Sequence, residues 1–262
     1  MISAVFLISF FAFAIGMYLW IPLWYLIPIW IVIGYPIGIL VMLLFVYINF
    51  IWMSKTKPTN KLKNYMAHSI TFLINHFIFR VRVNVEGREN IPKNDRLLTT
   101  YANHKSLLDP FPIMEVLKRP TTFTPKSEVM SYPLIGKYLK YLGSFVIDRS
   151  SDRNTAKGLV NAIRNAKDGM NYVIFPEGGI RTRENEQMVE MRPGAYKLAM
   201  KAKTDLLVIS MKNMTQIHKR FPWRSTKIYM KIHPVIPFED IENLSTADIA
   251  KMVYDLVNSD FK

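Results

Sequence analysis

Arg96-Leu97-Leu98-Thr99-Thr100-Tyr101-Ala102-Asn103-His104-Lys105-Ser106-Leu107-Leu108-Asp109-Pro110 changes character twice. Residues 96–101 read as a short strand, and a polar turn follows. Asp109-Pro110 then reads as an N-cap and first helical residue, opening a helix to about Leu117. A strand that passes through a turn into a helix is the repeating unit of an α/β domain.

The pattern repeats outward from that stretch. Phe79, Val81, Val83 and Val85 alternate with Arg80, Arg82 and Asn84, as in a half-buried strand ended by Gly87. Ala156, Leu159, Val160, Ile163 and Ala166 keep helical spacing, with Asp152 as the expected cap and Gly169 as the stop. A buried strand is expected over 172–175, a helix from Pro193 through Ala202, and strands over 206–209 and 228–232. Ser245 with Asp248 has the capping-box pattern before a final helix. The expected fold class is therefore α/β, a mixed sheet flanked by helices.

The N-terminus obeys different rules. No Asp, Glu, Lys, Arg or His occurs before Lys55, so the net charge of +14 sits on the remainder. Such a run is too long for a signal peptide and lacks its positive start. Two spans fit, over 3–20 and 30–53, with Pro22 and Pro28 between them and Trp20, Trp24, Tyr25 and Trp30 around the break. Lys55, Lys57, Lys61 and Lys63 follow at once, which places that end on the cytoplasmic side of the cell membrane. A full crossing and a hairpin that turns back within one leaflet need the same apolar length, and both readings stand. The expected organisation is a membrane hairpin over 1–54, an amphipathic connecting helix over 55–84 and an α/β domain over 85–262. In the connecting helix Leu62, Met66, Ile70, Leu73, Ile74 and Phe77 form the apolar face, and His68 and His76 belong to the polar one.

A basic body on an apolar anchor points to an anionic membrane surface as partner. No zinc-finger spacing, basic helix or aromatic RNA-binding signature supports nucleic acid. With no cysteine, disulfides, thiolate metal sites and a cysteine nucleophile are excluded. No metal-ligand cluster is visible, so no metal is expected. The basic, aromatic stretch of Lys212, Lys219, Arg220, Phe221, Trp223 and Arg224 fits lipid headgroups beside such an anchor.

The chemistry concentrates in the opening stretch. His104 leaves a strand at its C-terminal end, where open α/β sheets place their sites. Asp109 comes five residues later, and a turn folds its carboxylate back onto the imidazole. Such a pair fixes the tautomer and leaves the other ring nitrogen to take a proton from a hydroxyl. A capped helix after a polar turn explains the same residues without chemistry. Ser106 lacks the glycines of a nucleophile elbow.

Asn103-His104 with Asp109 resembles the first block of the glycerolipid acyltransferases, the 1-acylglycerol-3-phosphate O-acyltransferases. The resemblance continues in order through Phe123-Thr124-Pro125-Lys126-Ser127-Glu128, Pro133-Leu134-Ile135-Gly136, Gly143-Ser144-Phe145-Val146-Ile147-Asp148-Arg149 and Phe175-Pro176-Glu177-Gly178. It implies an enzyme with His104 as general base and Asp109 as its orienting partner. It also implies Arg149, Glu177 and Gly178 in the acceptor site, with Lys105 and Lys126 as further phosphate contacts. The bland readings are a salt bridge of Arg149 with Asp148 or Asp152, turn solvation for Glu177 and surface charge for the lysines.

The implied reaction moves a fatty acyl group from acyl-coenzyme A or acyl carrier protein onto a membrane lysophospholipid and forms phosphatidic acid. No further cofactor is implied. Two blocks depart from the family pattern: Gly179-Ile180-Arg181 stands where Thr-Arg-Ser is usual, and Leu207-Val208-Ile209-Ser210 lacks prolines. These departures bear on the acceptor pocket and keep open another lysophospholipid, an aminolipid or glycerol-3-phosphate as substrate. A non-catalytic lipid-binding scaffold and a Ser–His–Asp hydrolase are the remaining alternatives.

Overall fold

The computed structural model describes residues 2–92, 96–146 and 152–261, the side chains of 152–155 excepted. Six strands form one mixed sheet: β1 (Val81–Glu86), β2 (Leu98–Ala102), β3 (Thr121–Phe123), β4 (Asn171–Ile174), β5 (Asp205–Lys212) and β6 (Thr226–Ile232). Their spatial order is β1-β6-β5-β2-β4-β3. The four strands β5, β2, β4 and β3 are parallel, β6 runs antiparallel to β5, and β1 runs parallel to β6.

Residue alternation explains why both faces are covered. Leu98 and Ala102 of β2 join Leu207, Ile209 and Met211 of β5 on one face, under Ile113, Val116 and Leu117 of α4 (Pro110–Leu117). Tyr101 of β2 and Leu206 and Val208 of β5 join the other face. There they meet Ala162 and Ala166 of the helix Asp152–Lys167 and Ile249, Val253 and Val257 of the helix Thr246–Ser259. Every residue of β2 and β4 is buried, as central parallel strands require.

The expected elements form with small shifts. The capping box is present, with Ser245 Oγ accepting from Asp248 N and Asp248 Oδ2 accepting from Ser245 N. The proposed Asp152 cap lies outside the described side chains. The helix from Pro193 begins as a 3₁₀ turn, Pro193–Tyr196, before becoming α-helical over Lys197–Ala202. β3 was not expected, because its three residues are too short a run for any alternation to show.

The N-terminal segment forms two antiparallel helices, α1 (Ile2–Trp20) and α2 (Ile27–Lys55), both long and apolar enough to cross a membrane. At 1.5 Å per residue they are about 28 and 43 Å long. α2 starts earlier than expected because Pro28 suits the first turn of a helix, and it runs through Pro36. Close packing by α1 accompanies that proline: the Phe6 and Tyr35 rings meet at 5.7 Å. A Cβ on Gly34 or Gly38 would approach the Phe13 or Phe6 ring to 3.2 or 3.1 Å.

The connecting segment differs most from expectation. α3 (Lys61–Leu73) gives way to a π turn, Ile74–Ile78, while the strand expected through Val81, Val83 and Val85 forms as β1. Its inward face carries Met66 and Ala67, but also Lys63, Asn64, Thr71 and Asn75, while Leu62, Tyr65, Phe72 and Phe77 are exposed. Polar residues point inward because each finds a partner there. Lys63 Nζ donates to Met53 O at 2.8 Å, Thr56 O at 2.9 Å and Tyr141 O at 3.0 Å. Lys63 thus caps the C-termini of α2 and of α6 (Pro133–Tyr141), rather than facing a membrane surface. Burial pulls its ammonium down to about 8. Asn75 and His76 both bind the Glu115 carboxylate, at 2.6 and 2.7 Å. His68 Nε2 lies 3.1 Å from Arg119 O, and burial lowers the ring's pKa.

Lys63→Met keeps the stem and removes the three donors. Each buried orphaned carbonyl costs about 1–3 kcal/mol, so a total loss of at least about 3 kcal/mol is expected. Thermal unfolding of the two proteins in detergent measures it, and an unchanged midpoint would remove Lys63 as the joint between anchor and domain.

Candidate active site

β2 delivers Asn103 and His104 beyond its last hydrogen-bonded residue, and the turn that follows is tied down from every side. Asn103 is buried, donating through Nδ2 to Glu186 O and Met211 O, both at 2.9 Å, and accepting from Met211 N at 2.8 Å. This fixes the exit of β2 against the end of β5.

Asp109 is fully buried, and one oxygen gathers three donors. His104 Nδ1 lies 2.8 Å from Asp109 Oδ2, which also accepts Lys105 N at 2.7 Å and Ser106 N at 3.0 Å. The carboxylate makes no cap bond to α4, contrary to the N-cap expectation, because it is turned back onto the residues before it. The acceptor oxygen assigns Nδ1 as the protonated nitrogen. The ring also stacks on Phe175, centroids 4.3 Å apart and planes 18° from parallel. Nε2 carries no hydrogen bond among the described residues, and the His104 side chain is 14% exposed. Position, tautomer and ring plane are thus all fixed, with one basic nitrogen left over.

Glu177 supports this from behind. It is buried; Oε1 accepts His104 N at 2.7 Å, and Oε2 lies 3.5 Å from Lys105 Nζ and 3.4 Å from Val189 N. Burial raises the Glu177 pKa, against the pull of the His104 amide and the Lys105 charge. Lys105 is 1% exposed, so its charge meets Glu177 rather than solvent.

Lys126 and Gly178 lie on the open side. Gly178 has φ +67, and a Cβ there would come within 2.8 Å of Arg192 Nε. The Arg192 side chain therefore packs against backbone that only glycine leaves free. A Cβ on Gly179 would lie 3.5 Å from the ammonium of the exposed Lys126. Two cations thus flank the Pro176–Gly179 turn. Arg149 lies outside the described residues, as does Asp148.

Sequence reasoning missed three residues here. Arg192 comes fifteen positions after Glu177, and only the fold returns it to Gly178. Glu186 is another: its Oε1 accepts Asn213 N at 2.8 Å, and its pKa is raised by burial and by the nearby Asp109 charge. The third is His218, whose Nε2 lies 3.2 Å from Ser106 Oγ. Ser106 thus faces His218 and not His104, which removes the geometry of a Ser106–His104–Asp109 triad. His233 is buried against Ser210 Oγ at 2.9 Å, as a structural role requires.

Sheet, strand-end histidine and carboxylate define an α/β protein with a histidine held on a buried carboxylate at the C-terminal end of a central strand. The family model described as Acyltransferase matches residues 82–212, from β1 to the end of β5, and the chain belongs to that family. It is 26% identical over 179 residues to a 1-acyl-sn-glycerol-3-phosphate acyltransferase of Borreliella burgdorferi, covering 68% of this chain and 70% of that one. It is 25% identical over 160 residues to the Saccharomyces cerevisiae enzyme of the same name, covering 59% of this chain and 52% of that one. The match thus spans about half the length of the yeast relative. The crystal structure of the 1-acyl-sn-glycerophosphate acyltransferase PlsC from Thermotoga maritima superposes with a TM-score of 0.57 at 24% identity, covering 76% of each chain. At that identity the likeness speaks to the fold.

Proposed function

We propose that this enzyme transfers a fatty acyl group from an acyl thioester to the free hydroxyl of 1-acyl-glycerol-3-phosphate, forming phosphatidic acid. The observation that carries the reading is the 2.8 Å contact of His104 Nδ1 with the buried Asp109, which leaves Nε2 without a hydrogen bond among the described residues. Nε2 takes the proton of the acceptor hydroxyl as its oxygen attacks the thioester carbonyl. The imidazolium, stabilised by Asp109, returns that proton to the departing thiolate. No acyl-enzyme is formed. Lys126 and Arg192 hold the acceptor phosphate, Arg as a fork and Lys as a point charge, and Arg149 adds to them. Gly178 lets the ligand approach the backbone. Glu177 and Lys105 act one layer back, fixing the His104 amide.

The names of the relatives support this acceptor. The apolar hairpin supports a membrane-borne lipid substrate, and the basic domain supports an anionic, cytoplasmic surface of the cell membrane. The donor is acyl-coenzyme A or acyl carrier protein, and no other cofactor takes part.

The test is acyl transfer by the purified full chain in detergent, from acyl-coenzyme A and from acyl carrier protein, to lysophosphatidic acid. Phosphatidic acid as product supports the reading. Turnover of lysophosphatidylcholine or glycerol-3-phosphate in its place overturns the acceptor, and release of free fatty acid alone overturns acyl transfer to a lipid hydroxyl.

A further inference from the structure

The sheet end that carries His104 also carries a surface that acyl transfer does not use. Because β6 is antiparallel to β5 and β1 parallel to β6, the segments entering β1 and β6 reach the end where β2 exits. There the helix Gln216–Arg220 leads into Phe221-Pro222-Trp223. Trp223 is 85% exposed. The Phe221 ring packs 5.0 Å from Phe79, and Arg80 Nη1 donates to Trp223 O at 3.1 Å, so the loop is held in place. Leu107, between His104 and Asp109, is also exposed, and Ser106–His218 ties its turn to the same loop.

This apolar rim is continuous with the anchor. Phe77 and Ile78 are exposed, and Phe77 lies 6.2 Å from Phe72. Phe72 extends the outward stripe of Leu62 and Tyr65 along α3, and Ser3 at the start of α1 bonds to Ser69 on that helix. Single exposed apolar residues need no explanation, but a contiguous run of them does. Charge points the same way. Lys219, Arg220 and Arg224 flank the loop, and no Asp or Glu occurs from Leu206 to Phe238, although Lys231 further along β6 is paired with Asp260 and Glu86.

We propose that the Phe221–Trp223 loop, with Leu107, is a second membrane contact that inserts at the headgroup level of an anionic bilayer and holds the His104 end of the sheet against the lipid. Trp at the interface with Lys and Arg beside it is the side-chain set such a contact takes. An acidic carrier-protein domain would satisfy the cations, but not the apolar continuity with the hairpin. The contact does not depend on which lysolipid is acylated, so it is tested apart from activity.

The absence of cysteine makes Trp223→Cys a unique labelling site. The full chain, labelled there with bimane, is reconstituted into phosphatidylglycerol–phosphatidylcholine vesicles containing nitroxide lipids. Lys201→Cys, exposed shortly before β5 at the opposite end of the sheet, is the reference. Phe221→Cys gives a second reading within the loop. Loss of fluorescence to the lipid quencher is expected at 223 and 221 and not at 201. Lys219→Glu with Arg224→Glu should reduce it at 223. Equal quenching at 223 and 201, none at 223, or protection only on addition of acyl carrier protein would overturn the proposal.

Discussion

His104→Ala is expected to lower acyl transfer by about 10²–10⁴, the usual cost of losing a positioned general base. The fold should survive, because His104 is partly exposed and its ring stacks on one face only, against Phe175. The contacts that fix the turn also persist: Asp109 still accepts from the amides of Lys105 and Ser106, and Glu177 from that of residue 104. Circular dichroism and thermal unfolding should match wild type while product formation collapses. Asp109→Asn separates orientation from charge. The amide oxygen can keep the three donors, since the other carboxylate oxygen has no hydrogen-bond partner among the described residues. What is lost is the charge that stabilises the imidazolium, so turnover should fall with little change in the acceptor's KM. Wild-type rates in His104→Ala would remove the base from the mechanism, whereas transfer no higher than background in both proteins would leave the lipid-binding scaffold as the better account.

Much of this was legible in the sequence because it is local. The strand–turn–helix around His104 is written in consecutive residues, and a five-residue return of a carboxylate onto an imidazole needs no tertiary information. The α/β class follows from periodicity, and the anchor from an uncharged run that ends at Lys55. What could not be read is where a charge goes once the chain has folded. Lys63 looks like any juxtamembrane lysine, yet three carbonyls from two helix ends draw it inside. Lys105 looks like a phosphate ligand, yet it is buried against Glu177. Arg192 carries no motif on its own, and only the return of its segment to Pro176 sets it on Gly178. Periodicity marks where apolar residues want to be, and it is blind to a cation whose partners come from elsewhere in the chain.

That blindness makes Glu177 the most informative position for stability. Glu177→Ala should destabilise by about 3–5 kcal/mol, because removing one partner of a buried ion pair leaves the other charge uncompensated. Lys105 is 1% exposed and cannot reach water without moving the turn that holds His104. Glu186 is near enough to feel that charge, and among the described residues no hydrogen bond joins the two, so its compensation is partial. The amide of His104 loses its acceptor as well, so activity should fall together with stability. A second variant separates the two effects. Glu177→Gln with Lys105→Met removes both charges, keeps an acceptor for the His104 amide and nearly conserves volume. Replacing both members of a buried pair is often neutral. The double variant should therefore regain most of the unfolding midpoint lost in Glu177→Ala, and most of the turnover. If stability returns and turnover does not, Glu177 takes part in acceptor binding directly; if neither returns, the network acts as more than the pair.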